Sequence, residues 1–165
     1  MDIVQIVGYK NSGKTTLATR VIEELISKGN RVASLKHHGH GGVPLGMKDT
    51  DSEKHSRAGA LIAGVEGEGV LQLSQQEPWN LEQMIPIYEM MSIDILVIEG
   101  FKNKGFNKIV LINKVEELPL LESVTNIKAV ISSVSLINKS INYPVFKRHE
   151  VEKFCEWLVH IHLKK

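Results

Sequence analysis

The stretch Gly8-Tyr9-Lys10-Asn11-Ser12-Gly13-Lys14-Thr15, followed by Thr16, fits G-x-x-x-x-G-K-[ST] and constrains the chain more than any other feature. Ahead of it, Ile3-Val4-Gln5-Ile6-Val7 is a short, β-branched and nearly continuous apolar run, the pattern of a strand buried on both faces of a parallel sheet. Behind it, from Thr15 to Lys28, residues Leu17, Ala18, Val21, Ile22, Leu25 and Ile26 share one helical face before Gly29 supplies a stop. The motif thus joins a strand to a helix. Its glycines let backbone N–H groups curve around phosphate oxygens, and the helix N-terminus favours negative charge there. In that frame Lys14 neutralises β/γ-phosphates and the Thr15 hydroxyl is one oxygen ligand for Mg²⁺. The competing explanation is a glycine-rich turn that binds nothing, and both flanking elements weigh against it.

Arg31 to Leu35 is a second apolar run, so the chain opens β-α-β, and the parallel crossover implies an α/β sheet. Lys36 to Asp51 then reads as a long loop, with Gly39, Gly41, Gly42, Pro44 and Gly46 among polar residues. A short helix is predicted over Ser52–Ala60. Two short strands follow, Leu61–Val65 and Gly69–Leu73, separated by Glu66-Gly67-Glu68. Asn80 and Gln83 cap a helix over Leu81–Met91 that Pro86 should kink or shorten. Strands are predicted at Ile93–Ile98, Lys108–Ile112, Ile127–Ile131 and Pro144–Phe146. An amphipathic helix carrying Val151, Phe154, Cys155, Leu158 and Ile161 closes the chain. At 165 residues, near the roughly 150 of one domain, the pattern predicts a single P-loop nucleotide-binding domain over 1–165.

Several function classes are excluded at this stage. With 20 Lys+Arg against 19 Asp+Glu the net charge is +1, so no broad polyanion-binding surface is expected and nucleic acid is not a partner. Apolar stretches such as Ile95–Ile98 are far short of the ~20 residues that cross a bilayer. A single cysteine, Cys155, forms no intramolecular disulfide, and the opening Met1-Asp2 lacks a secretory layout, so a cytoplasmic protein is expected.

A P-loop needs a carboxylate at the end of a neighbouring strand, to hold the Mg²⁺ shell or orient a water. Glu99, directly after the apolar run and before Gly100, is that candidate, whereas Asp94 reads as a strand-entry residue. Lys36-His37-His38-Gly39-His40 follows the second strand at the same expected edge. It can contact an anion or substrate, bind zinc, or be a solvated polar loop; a zinc site would still need a fourth ligand, and Cys155 is distant. Asp49 or Asp51 can reach the Mg²⁺ shell or polarise a water. His160 and His162 are expected to face solvent.

These residues resemble the molybdopterin-guanine dinucleotide biosynthesis protein B (MobB) family of P-loop GTP-binding proteins. The resemblance runs over most of the chain. It rests on Gly8 to Leu17, on Lys36 to His40, on Asp51-Ser52 leading to Arg57-Ala58-Gly59-Ala60, and on Glu99-Gly100-Phe101-Lys102. It implies a three-layer P-loop NTPase fold with a mainly parallel central sheet, GTP and Mg²⁺ binding, weak GTP hydrolysis and a homodimer. It further implies a supporting role in molybdenum cofactor biosynthesis, with the nucleotidyl transfer performed by a partner guanylyltransferase. By position, Gly8, Asn11, Ser12, Gly13, Lys14, Thr15 and Thr16 match the phosphate loop, Asp51 the acidic switch-like position and Glu99 the Walker B carboxylate. The implied catalytic set is Lys14, Asp51 and Glu99, with Thr15, Asp51 and Glu99 around the metal and Lys36 and His37 beside the nucleotide. Thr50 precedes Asp51 and Pro44 lies upstream, a departure from the family's usual run that leaves the role of Lys48 open.

Asn113-Lys114-Val115-Glu116 looks like an Asn-Lys-x-Asp guanine reader with Glu for Asp. The extra methylene displaces the carboxylate, which favours an ordinary surface turn. Tyr9 stands where the deviant loop of dimeric metal-insertion ATPases has a second lysine, so Lys10 receives no catalytic role. No arginine finger or water-positioning glutamine stands out, which fits slow turnover. Two other functions compete with the GTP-binding accessory reading. One is a small-molecule kinase or other ATP-dependent enzyme using Lys36, His37 and His40 on an acceptor. The other is a non-catalytic module in which nucleotide only orders a docking surface. An apolar edge among Leu61 to Leu73 is a candidate dimer contact.

Overall fold

The computed structural model describes residues 1–39, 50–136 and 141–162. Its elements run in the order β1 (Asp2–Val7), α1 (Lys14–Ser27), β2 (Val32–Lys36), α2 (Asp51–Arg57), β3 (Ile62–Gly67), β4 (Val70–Gln75) and α3 (Leu81–Met90). There follow β5 (Ile95–Glu99), β6 (Lys108–Ile112), α4 (Leu120–Ser123), β7 (Ile127–Ser132), β8 (Val145–Lys147) and α5 (Val151–His162). The chain divides into two compact units, one of residues 1–39 with 88–165 and the other of residues 40–87.

The larger unit contains a six-stranded sheet in the order β2-β5-β1-β6-β7-β8. Every pairing in it is parallel, as the β-branched strand sequences and the β-α-β opening predict. β1 lies between β5 and β6, with Ile6 opposite both Glu99 and Ile109. Alternate residues of each strand feed opposite faces. On one face Val4, Ile6, Val97, Ile109, Leu111 and Ile131 pack with Leu17, Val21 and Leu25 of α1 and with Phe154 and Leu158 of α5. On the other, Val7, Val110, Ile112 and Val130 pack with Leu120, Leu121 and Val124. This is an α/β architecture with helices flanking a parallel sheet.

Local chemistry sets several boundaries. β5 begins at Ile95, later than the apolar run suggested, because Ser92 adopts φ 56 and Ile93 N–H returns to the Tyr88 carbonyl at 3.3 Å. Asp94 then ties the strand entry together, its carboxylate accepting from Arg31 N–H at 2.7 Å, in keeping with the role read from sequence. α3 starts on the predicted capping box: Gln83 N–H donates to Asn80 Oδ1 at 2.9 Å and Asn80 N–H to Gln83 Oε1 at 3.0 Å. The helix continues through Pro86 to Met90.

In the unit of residues 40–87, the Thr50 hydroxyl caps α2 by accepting from Glu53 N–H at 3.3 Å. β3 and β4 form an antiparallel hairpin with Gly67 opposite Val70. The turn falls at Glu68-Gly69, two residues beyond the expected start; both have positive φ, 50 and 79, as a type I′ hairpin turn requires.

Candidate functional site

Because the central sheet is parallel, the carboxyl ends of β1, β2, β5 and β6 open on one edge, where the chain turns from β1 into the loop of residues 8–13. Gly8 has no room for a side chain: a Cβ there would lie 2.6 Å from Ser12 Oγ and 3.2 Å from Leu111 Cβ. Asn11 and Gly13 adopt left-handed conformations, with φ 60 and 87. Gly13 is the N-cap of α1 and no side chain caps the helix, so its first-turn amides remain available to an anion. Ser12 Oγ is buried with no hydrogen-bond partner among the described residues. The Lys14 ammonium donates to the Tyr9 carbonyl at 2.7 Å, folding back over the loop. Partial burial holds its pKa below the ordinary lysine value; nearby Glu99 opposes that shift, Lys36 adds to it, and Glu117 opposes it.

On the β5–β2 side of the loop, three predicted residues converge. The Thr15 hydroxyl donates to Glu99 Oε2 at 2.9 Å. Lys36 Nζ donates to Thr15 Oγ1 at 3.0 Å and lies 3.2 Å from Glu99 Oε1. An ammonium group therefore sits between a hydroxyl and a carboxylate oxygen, both hard donors of the kind Mg²⁺ takes alongside waters and phosphate oxygens. The donor set fits a divalent cation. Glu99 itself is the last residue of β5, paired with Ile6 and Lys36, and is 8% exposed.

The turn after Glu99 is held from beneath. Gln5, fully buried, donates through Nε2 to the carbonyls of Gly100 and Phe101, each at 2.7 Å. Lys108, also fully buried, donates to the carbonyls of Lys104 and Phe106, and burial lowers its pKa. Gly100 has φ 96, and a Cβ there would meet His37 Cβ at 3.0 Å. The His37 ring rests on Phe101 with centroids 4.5 Å apart, and the His37 backbone N–H donates to the Glu99 carbonyl at 2.9 Å. The imidazole is thus fixed by the turn bearing Glu99.

The β6–β8 side brings up Arg148, which the sequence did not single out, and gives Asn113 a contact that the guanine-reader comparison did not suggest. Asn113, just past β6, donates through Nδ2 to the Ser12 carbonyl at 3.2 Å and accepts at Oδ1 from the Ser133 hydroxyl at 3.4 Å. Its own N–H donates to Glu117 Oε2 at 2.7 Å. Lys114, Val115 and Glu116 form an exposed turn, as the surface-turn reading expects, while Asn113 additionally braces the phosphate loop. Arg148, the residue after β8, donates through Nη2 to the same Ser12 carbonyl. Its guanidinium stands where a Gly13 side chain would project, with Nη2 2.6 Å and Nη1 3.1 Å from the site of a Cβ. The available sequence signal was its position, directly after a strand that ends on the same edge as β1.

Of the other predicted residues, Thr16 is exposed on the first turn of α1. Asp51 is the first residue of α2 in the unit of residues 40–87, 88% exposed in its side chain and 2.7 Å from Lys54 Nζ. His40, Lys48 and Asp49 lie outside the described residues, as does the side chain of His162, while His160 is exposed. Among the described residues no group of three or more His, Cys, Asp or Glu side chains could hold a metal ion. No helix among them is long and apolar enough to cross a membrane.

The sequence model of MobB, molybdopterin guanine dinucleotide synthesis protein B, matches residues 3–133. A relative from Bacillus subtilis, described as a probable molybdopterin-guanine dinucleotide biosynthesis adapter protein, is 39% identical over 145 residues, covering 87% of this chain and 84% of its own. The crystal structure of a MobB protein homolog from Bacillus stearothermophilus superimposes with a TM-score of 0.78 at 31% identity over 100% of both chains. That of Bacillus subtilis MobB gives 0.73 at 34% identity over 97% of both.

Proposed function

The chain belongs to the MobB family, and from that premise we propose that it is an adapter protein of molybdopterin-guanine dinucleotide biosynthesis whose P-loop binds GTP with Mg²⁺ and hydrolyses it slowly. The observation that carries the nucleotide part is the meeting of Thr15, Glu99 and Lys36 beside an uncapped helix N-terminus. Thr15 and Glu99 hold the metal, directly or through its waters, and Lys36 turns from them toward phosphate. Lys14 exchanges the Tyr9 carbonyl for phosphate oxygens, and the amides of the loop and of the first helical turn supply the remaining donors. When bound, Mg²⁺ supplies neutralisation of the phosphate charge.

Slow turnover agrees with the partners of these groups. Among the described residues, the side-chain hydrogen bonds of the Thr15 hydroxyl and the Glu99 carboxylate run to each other and to Lys36, with no arginine or glutamine among them. A missing arginine finger lowers phosphoryl transfer by about 10³–10⁵. Asp51, in the switch-like position, is the residue assigned to a water. The nucleotidyl transfer falls to a partner guanylyltransferase, and the adapter acts as a cytoplasmic homodimer.

Calorimetry with GTP, GDP and ATP, with and without Mg²⁺, tests this reading. GTP should bind best, Mg²⁺ should tighten it, and Lys14→Ala should abolish most of the affinity. Equal affinity for ATP would redirect the reading to an ATP-dependent enzyme, and absence of nucleotide binding would end it.

A further inference from the structure

We propose that Arg148 is a nucleotide-binding residue that covers the nucleoside end of the phosphate loop, an assignment resting on the nucleotide reading above. The metal-facing residues Thr15, Glu99 and Lys36 all lie on the β5–β2 side of β1. A nucleotide whose terminal phosphates meet those groups must extend its nucleoside the other way, over the ends of β6, β7 and β8. Arg148 stands on that side, at the end of β8, and reaches back to the loop from 136 positions away in sequence. It shares the Ser12 carbonyl with Asn113 and lies against Gly13, the residue from which α1 starts.

The electrostatics point the same way. Glu99 is matched by Lys36, and Glu150 by Lys153 at 3.1 Å, but among the described residues no carboxylate pairs with Arg148. A guanidinium carries five N–H donors and a delocalised charge, and a single neutral carbonyl satisfies little of either. Such a group is suited to lie flat on a purine, as arginine planes do in nucleic-acid recognition. Its backbone is held ready: Arg148 opens a 3₁₀ turn fixed by Lys147 N–H donating to Glu150 Oε2 at 2.9 Å. Contact at the nucleoside end, unlike a finger at the terminal phosphate, contributes equally to diphosphate and triphosphate.

The test is calorimetry of wild type, Arg148→Ala and Arg148→Lys against Mg²⁺ complexes of GTP, GDP and inorganic tripolyphosphate. Arg148→Ala should weaken GTP and GDP by the same factor, about three- to thirtyfold, the range of a cation on an aromatic face. Arg148→Lys should recover only part of the loss, because the ammonium keeps the charge but lacks the plane that stacks on a purine. Tripolyphosphate affinity should fall clearly less than that of GTP in both variants, because only the nucleotides carry the purine on which the guanidinium lies. Unaltered GDP affinity, or an equal loss on tripolyphosphate, overturns the assignment while leaving the nucleotide reading in place. If wild type binds neither GTP nor GDP, the nucleotide reading fails and the role of Arg148 fails with it.

Discussion

The Thr15 hydroxyl donates to Glu99 Oε2 at 2.9 Å across 84 positions of sequence. Two features of the fold bring them together: Glu99 pairs with Ile6 at the end of β5, and the loop after β1 delivers Thr15 to the first turn of α1. Having given its single proton to Glu99, the hydroxyl accepts from Lys36 at 3.0 Å. The cluster therefore already holds one cation, and a divalent ion entering there competes with the Lys36 ammonium for the same oxygens.

Replacing Glu99 with glutamine removes the negative charge but keeps the shape. Mg²⁺ affinity in the presence of nucleotide should fall about 10- to 100-fold, the usual cost of losing a group that supports a metal. Nucleotide binding in a chelator should be unchanged. Titrating Mg²⁺ into the nucleotide complex checks both halves, and a variant with wild-type metal dependence would remove Glu99 from the metal's surroundings.

Gly100→Ala should lower stability by about 1–2 kcal/mol through left-handed backbone strain alone. The added Cβ would also press on His37 Cβ from 3.0 Å, at a residue with φ 96. Urea unfolding measures the loss. By contrast, Gly67→Ala, where a Cβ meets nothing within 4 Å and φ is not positive, should cost much less.

The parts of the site that sequence made legible are those encoded locally. Gly8 to Thr15 announces itself because spacing and flanking periodicity agree, and Glu99 because a carboxylate ends an apolar run before a glycine. Lys36 followed from its place at the end of the second apolar run, where β2 closes. Arg148, and the contact of Asn113 with the loop, were hidden because they reach Ser12 from 136 and 101 positions away, through a strand order that no single segment encodes. α4, at four residues, is too short to show a helical period. The β3–β4 turn was displaced because Glu68, a poor candidate for positive φ by residue type, accepts it.

Gln5 is a polar residue in the middle of a buried strand, and its amide supports the turn that carries Glu99. Gln5→Leu would preserve volume and lose both 2.7 Å bonds, leaving the Gly100 and Phe101 carbonyls without that donor. Stability should fall by about 1–3 kcal/mol. Metal-dependent nucleotide affinity should fall as well, because the turn no longer fixes the carboxylate. A thermal melt paired with Mg²⁺ titration separates the two effects, and a fully stable variant would show that the amide contributes nothing net.

Cys155, on α5, is buried in the core cluster that also takes in α1 and the sheet, and burial pushes its thiol up to about 11. Glu24 adds to the shift, Arg20 opposes it and Glu152 adds again. At pH 8 the thiolate fraction is then about one in a thousand, since each unit above the ambient pH is a factor of ten. Thiol-reactive reagents should label the native protein far more slowly than the urea-unfolded chain. The sign of the stability effect follows from linkage. With the folded pKa above the ordinary value of 9.0, the thiol's contribution is intact below pH 9 and lost as pH rises through 11. Wild type should therefore lose more stability than Cys155→Ala between those pH values. Parallel pH–stability curves for the two proteins, or rapid labelling of the native thiol at pH 8, would contradict a thiol held protonated by the core.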